Sequence, residues 1–125
     1  MKNLLLCALL LSAAPASALI KTKAVEYKHG DVVLQGWAAW EDGFKEKRPG
    51  ILVVHEWGGH GPYARKRAEQ LAKQGYTAFA VDMYGKGVLA KDHDEAGKLA
   101  GAFNSDRLAM RARALAGLAE LKKLP

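Results

Sequence analysis

The sequence predicts an α/β fold, and three stretches carry that prediction. Ile51 to Val54 is a short apolar run with three β-branched residues, the signature of a buried strand. It leads into H-E-W-G-G-H-G and then a basic, alanine-rich segment with helical spacing. Tyr76 to Val81 is a second apolar run that ends at Asp82. Strand, helix and strand over residues 51–82 make one βαβ unit, which requires parallel strands and a right-handed crossover.

The elements follow in order. Residues 22–28 hold Val25 and Tyr27 in rough alternation and read as a first strand. His29-Gly30-Asp31 is a turn signal, and Val32 to Trp40 is a second extended run, so the pair predicts an antiparallel hairpin. Glu41 to Gly50 is a polar loop, and Ile51 to Val54 is read as the central strand. A helix is expected at about 63–74, with Ala64, Ala68, Leu71 and Ala72 on one face and Gly75 as its stop. Lys86 to Gly101 holds Asp92, His93, Asp94 and Glu95, read as a solvated acidic loop, then an alanine-rich stretch fit for a short helix. Asn104-Ser105-Asp106 should cap a last helix at about 106–123, with Ser105 taken as a capping residue. Its apolar face is assigned to Leu108, Ala112, Leu115, Leu118 and Ala119, with Arg107, Arg111 and Lys122 facing out.

Residues 1–18 are set apart as a signal peptide. Lys2 supplies the positive start, Leu4 to Leu11 the apolar region, and Ala16-Ser17-Ala18 the cleavage site. The apolar run is too short to span a bilayer, which takes about 20 residues. Cleavage after Ala18 and export to the periplasm or outside the cell are expected, with no stable membrane insertion of the mature chain. Cys7, the sole cysteine, falls inside this leader, so residues 19–125 contain no disulfide, thiolate metal site or cysteine nucleophile. The formal charge of +6 is spread over five separate basic stretches without interleaved aromatics, which argues against nucleic acid as a partner.

Four candidate chemistries fail on residue pattern. His55-Glu56 followed by His60 is not the zinc pattern, which needs histidines one helical turn apart and no glycines between. The serines are Ser12 and Ser17 in the leader and Ser105 at a helix end, so no nucleophile elbow exists. The tyrosines, threonines and lysines have no partner arrangement that would activate them. No phosphate-binding glycine pattern is present either. What remains is the turn Glu56-Trp57-Gly58-Gly59. The Trp57 N–H could donate to an oxyanion, and Glu56 could hold or orient a proton of a nearby nucleophile. Equally, the glycines could serve turn geometry alone, with Glu56 paired to a nearby base. On residue pattern the two readings stand level.

The run V-V-H-E-W-G-G-H-G-P-Y-A-R-K-R-A-E-Q-L-A-K-Q-G-Y-T-A-F-A-V-D-M-Y-G-K-G, residues 53–87, strongly resembles the dienelactone hydrolase family of α/β-hydrolases. The Asp92 to Gly97 segment fits the same pattern, and the likeness spans roughly residues 24–125. Many relatives carry another tryptophan where Gly58 stands. The resemblance implies the N-terminal half of an α/β-hydrolase-type sheet, and hydrolysis of a carboxylic ester or lactone by covalent cysteine catalysis. It implies no metal or organic cofactor. The family's nucleophile elbow, G-x-C-x-G-G, and its later aspartate and histidine have no counterpart up to Pro125. Residues 19–125 are therefore expected to form a partial domain that is inactive alone. Two family roles transfer by position: Glu56 as modulator of the nucleophile and Trp57 as backbone donor to the oxyanion hole. His60 and Tyr84 are placed near the pocket mouth without a role. The alternative expectation is a complete, secreted, non-catalytic binding module derived from a hydrolase half.

Overall fold

A computed structural model describes residues 19–125; the leader assigned to residues 1–18 lies outside the described residues. The elements are β1 (Ile20–His29), β2 (Val32–Glu41), β3 (Gly50–Val54), α1 (Pro62–Ala72), β4 (Thr77–Val81), α2 (His93–Ser105) and α3 (Arg107–Leu121). The four strands form one mixed sheet in the order β1-β2-β4-β3. β1 and β2 are the expected hairpin, with Gly30 at the turn in a positive-φ conformation of 59°. β2 pairs antiparallel with β4, and β3 pairs parallel with β4, so the βαβ unit is present as read.

Within the described sheet β4 is flanked on both sides and β3 on one only, and all five residues of β4 are buried. β3 is the outer strand of the described sheet, and Val54 at its end is 56% exposed. Alternation along β4 feeds two cores. Ala78 and Ala80 face α1, whose Ala64, Ala68 and Ala72 meet them across an interface made almost wholly of methyl groups. Phe79 and Val81 face the other way, into a cluster with Tyr27, Leu34, Met83 and Leu121.

α3 packs on that second face, but not by the stripe expected of it. Met110, Ala114, Gly117, Leu118 and Leu121 point inward, while Leu108 is 82% and Leu115 49% exposed. The reason is Gly117. A Cβ there would sit 2.2 Å from Val81 Cγ2, so the helix approaches β4 most closely where it has no side chain. Arg113 then ties α3 to the strand ends, its Nη1 donating to the Met83 carbonyl (2.9 Å) and its Nε to His29 Nδ1 (3.0 Å).

The helix starts also correct two details. Asp92 is not in a loop but caps α2, its carboxylate accepting from the Glu95 N–H at 2.8 Å, while Glu95 accepts from the Lys91 N–H. Ser105 closes α2 by donating back to the Gly101 carbonyl, and Asp106 alone caps α3 through the Ala109 N–H. No described helix is long and apolar enough to cross a membrane.

Candidate functional site

β3 and β4 run parallel, so their carboxyl ends emerge side by side, where open α/β sheets bind ligands. Each ends in a turn. After β3, Gly59 N–H donates to the Glu56 carbonyl at 3.1 Å, closing a four-residue turn with Trp57 and Gly58 at its centre. Gly59 has φ of 108°, and a Cβ there would lie 2.9 Å from the Val88 carbonyl oxygen, so glycine is required on both counts. Gly61 N–H in turn donates to the Gly59 carbonyl, and α1 starts with Pro62 at its first turn.

The carbonyls of this turn are all engaged. Glu56 O also accepts from His55 Nδ1 at 2.7 Å, Trp57 O from the Tyr84 hydroxyl at 2.9 Å, and Gly58 O from the Ala90 N–H at 3.0 Å. The Trp57 and Gly58 N–H groups, by contrast, donate to no acceptor among the described residues. A turn whose carbonyls are held internally and whose amides are free presents partial positive charge, the arrangement that suits an incoming anionic oxygen.

Glu56 is exposed, and its carboxylate makes no ion pair or hydrogen bond among the described residues. The pairing with a base that the sequence left open is thus not formed among the described residues. Beside it lies an open hollow of about 170 Å³ whose lining includes Val54, Trp57, Met83, Tyr84, Phe103 and Met110. The Trp57 ring, half exposed, lies 5.3 Å from that of His93, and Tyr84 stacks on Phe103 at 6.0 Å. Tyr84 is thereby placed at the rim, as expected, and burial raises its phenol pKa.

His60 is not at the rim. It is 7% exposed, beneath the turn, beside a small cavity that Arg65 and Asp82 also line. Desolvation first, and the nearby Arg65 guanidinium second, lower its pKa to about 4. Its Nε2 has no partner among the described residues.

Two residues that sequence reasoning passed over organise the site. Asp82 ends β4 fully buried. One carboxylate oxygen accepts from the Gln35 N–H and the other from the Tyr84 and Gly85 N–H groups, each at 3.0 Å. Tyr27 reaches the same point from β1, its hydroxyl sharing weak bonds with the Asp82 backbone, and burial pushes its phenol up to about 12. A carboxylate at a strand end, with glycine three residues on, was the available signal for this turn. His55 is the second: Met83 N–H donates to its Nε2 at 3.1 Å, while its Nδ1 meets Glu56 O. In sequence it stands within the H-E-W run and as half of a zinc pattern that fails, with no role attached.

A profile of the dienelactone hydrolase family matches residues 34–125, from within β2 through α3, and includes both turns. The chain belongs to the dienelactone hydrolase family. Among curated relatives, Protein usf of Aquifex pyrophilus is 36% identical over 78 residues, which are 60% of this chain and 32% of that one. A protein of Aquifex aeolicus (strain VF5), provisionally named carboxymethylenebutenolidase, is 38% identical over 78 residues with the same coverage. Among solved structures, m3DLH superposes with a TM-score of 0.80 at 34% identity, covering 85% of this chain and 44% of that one. A dienelactone hydrolase-like promiscuous phosphotriesterase from metagenomic libraries gives 0.78 at 31% identity, with the same coverage. This dienelactone hydrolase-family chain therefore spans about a third of the length of these curated relatives and under half of the solved chains. Its partial α/β sheet is the N-terminal portion of that fold.

Proposed function

We propose that the full-length protein to which residues 19–125 belong hydrolyses a carboxylic ester or lactone by covalent cysteine catalysis. The observation that carries this reading is the turn after β3. A carboxylate without a partner among the described residues, Glu56, stands next to a backbone donor equally unengaged there, the Trp57 N–H, above a mainly apolar hollow. In the proposed reaction a cysteine thiolate adds to the ester carbonyl, and the Trp57 N–H stabilises the oxyanion. The alcohol leaves with a proton, and water then cleaves the thioester to release the acid. Glu56 pairs with the resting thiol and accepts its proton when substrate arrives. The described residues hold no cysteine, so in this reading the nucleophile comes from outside them, and the 125-residue chain alone is inactive. Residues 1–18 act as a signal peptide cleaved after Ala18, which exports the enzyme to the periplasm or beyond.

The test is steady-state hydrolysis of 4-nitrophenyl acetate and a dienelactone by the full-length protein. The neighbouring phosphotriesterase makes a phosphotriester the next substrate to try. Wild type should turn over, and Glu56→Gln should lose about 10²-fold in kcat, the scale of a positioned proton acceptor. Absence of ester and lactone turnover in the wild type, or full activity of E56Q, would overturn the reading. Turnover by the 125-residue chain alone, abolished by Glu56→Ala, would overturn the claim that it is inactive.

A further inference from the structure

We infer that His55 is a positioning residue for the Trp57 N–H, holding the Glu56–Trp57 peptide in the one orientation that leaves this donor free. The inference rests on the hydrolase reading of the same turn. It starts from the two ring nitrogens. Met83 N–H can only donate, so His55 Nε2 must accept (3.1 Å). A neutral imidazole then carries its proton on Nδ1, which lies 2.7 Å from the Glu56 carbonyl, a group that can only accept. The two contacts agree on one tautomer, and Tyr84 packs edge-on against the ring at 4.8 Å.

The consequence lies in peptide geometry. No described peptide bond is cis, so the Glu56 C=O and the Trp57 N–H point in opposite directions from one plane. The carbonyl is held by His55 Nδ1–H together with the Gly59 N–H. Fixing the carbonyl fixes the amide. Without the histidine only the 3.1 Å turn bond remains, and rotation of this peptide would aim a carbonyl oxygen at the place where an oxyanion forms. Because the other end of the imidazole is anchored at Met83, just past β4, the donor is registered against the neighbouring strand end rather than floating on its own turn.

Two substitutions separate this role from simple packing. Asparagine places an N–H near the Nδ1 position and can restore the bond to Glu56 O. Glutamine places an acceptor near the Nε2 position and can restore the bond from Met83. In the full-length protein, with 4-nitrophenyl acetate, His55→Ala should lower kcat by about 10²-fold with KM within about threefold, the scale of losing one oxyanion donor. H55N should regain most of kcat. H55Q should regain thermal stability without the rate. Recovery of kcat that follows stability instead, with H55Q fast and H55N slow, would overturn the inference, as would an unchanged kcat in H55A. Should the wild type hydrolyse no ester, the hydrolase reading fails, and the clamp is decided by structure alone. A crystal structure of H55A must then show the Glu56 carbonyl rotated away from its wild-type direction, and an unrotated carbonyl refutes it.

Discussion

The turns that end β3 and β4 sit side by side and treat their carboxylates in opposite ways. Asp82, after β4, is buried and fully committed, its two oxygens accepting three backbone N–H groups from two segments. Glu56, after β3, is exposed with no partner among the described residues, beside amides that are equally unengaged. Both are acidic residues just past a parallel strand, and their sequence surroundings are alike in kind. The difference is that one turn is finished by its own groups while the other is held rigid through its carbonyls and left open through its amides. A site prepared for an incoming charge has this form, because donors already satisfied cannot respond to it. The two turns are also coupled. Tyr84 and Met83, from the finished turn, hold Trp57 O and His55 of the open one.

The largest way to break this contrast is to remove the finished turn. Asp82→Ala leaves the Gln35, Tyr84 and Gly85 N–H groups without their acceptor at a buried position. Unsatisfied buried donors cost about 1–3 kcal/mol each, and water can reach some of them, so the expected loss is roughly 3–5 kcal/mol. Urea unfolding of the full-length protein should show a lower midpoint at an unchanged slope. A loss under about 1 kcal/mol would mean the carboxylate is not what completes the turn.

A second, smaller effect sharpens the contrast beneath the open turn, where His60 is buried without a partner for Nε2 among the described residues. Its folded pKa is lowered to about 4, below the ordinary histidine value of 6.5. The unfolded chain therefore binds a proton that the folded chain refuses between these two values, and stability falls as pH drops from about 6.5 toward 4. From pH 7 to pH 5 the expected loss is about 1–2 kcal/mol. His60→Gln should flatten that part of the stability profile relative to wild type. Identical pH slopes for the two proteins would show that His60 is not the group responsible.

How far the sequence reveals these features depends on whether the deciding contact is local. Ala64, Ala68 and Ala72 lie on one face of α1 by spacing alone, and Gly75 ends it with φ of 95°, so that element and the βαβ unit could be read directly. The turn Glu56 to Gly59 was likewise legible, because glycines between a strand and a helix constrain their own backbone. α3 was not. It carries apolar residues around most of its circumference, and periodicity cannot choose between a stripe through Leu108 and Leu115 and one through Met110, Gly117 and Leu121. Contact with Val81 chooses, and the one sequence hint was a glycine inside an otherwise good helix. The strand residues of β3 do not name their partners; the order β2-β4-β3 is fixed by which edges pair in space. Asp82 and His55 make local bonds that a sequence can suggest, but each also ties in a segment far away in sequence, Gln35 for one and Met83 for the other, and that part is not legible.

The smallest expected effect tests the contrast most directly. If Glu56 takes no part in holding its turn, Glu56→Gln should change stability by no more than about 0.5 kcal/mol, as for a surface residue without partners. The turn itself is closed by the Glu56 carbonyl, which the substitution leaves in place. The same variant is expected to lose most of its ester hydrolysis, and that dissociation is what separates a functional carboxylate from a structural one. Urea unfolding of wild type and E56Q, measured on the same preparations used for kinetics, supplies both numbers. A destabilisation comparable with that of D82A would place Glu56 beside Asp82 as a residue that completes a turn, and its freedom from partners would then no longer mark the site.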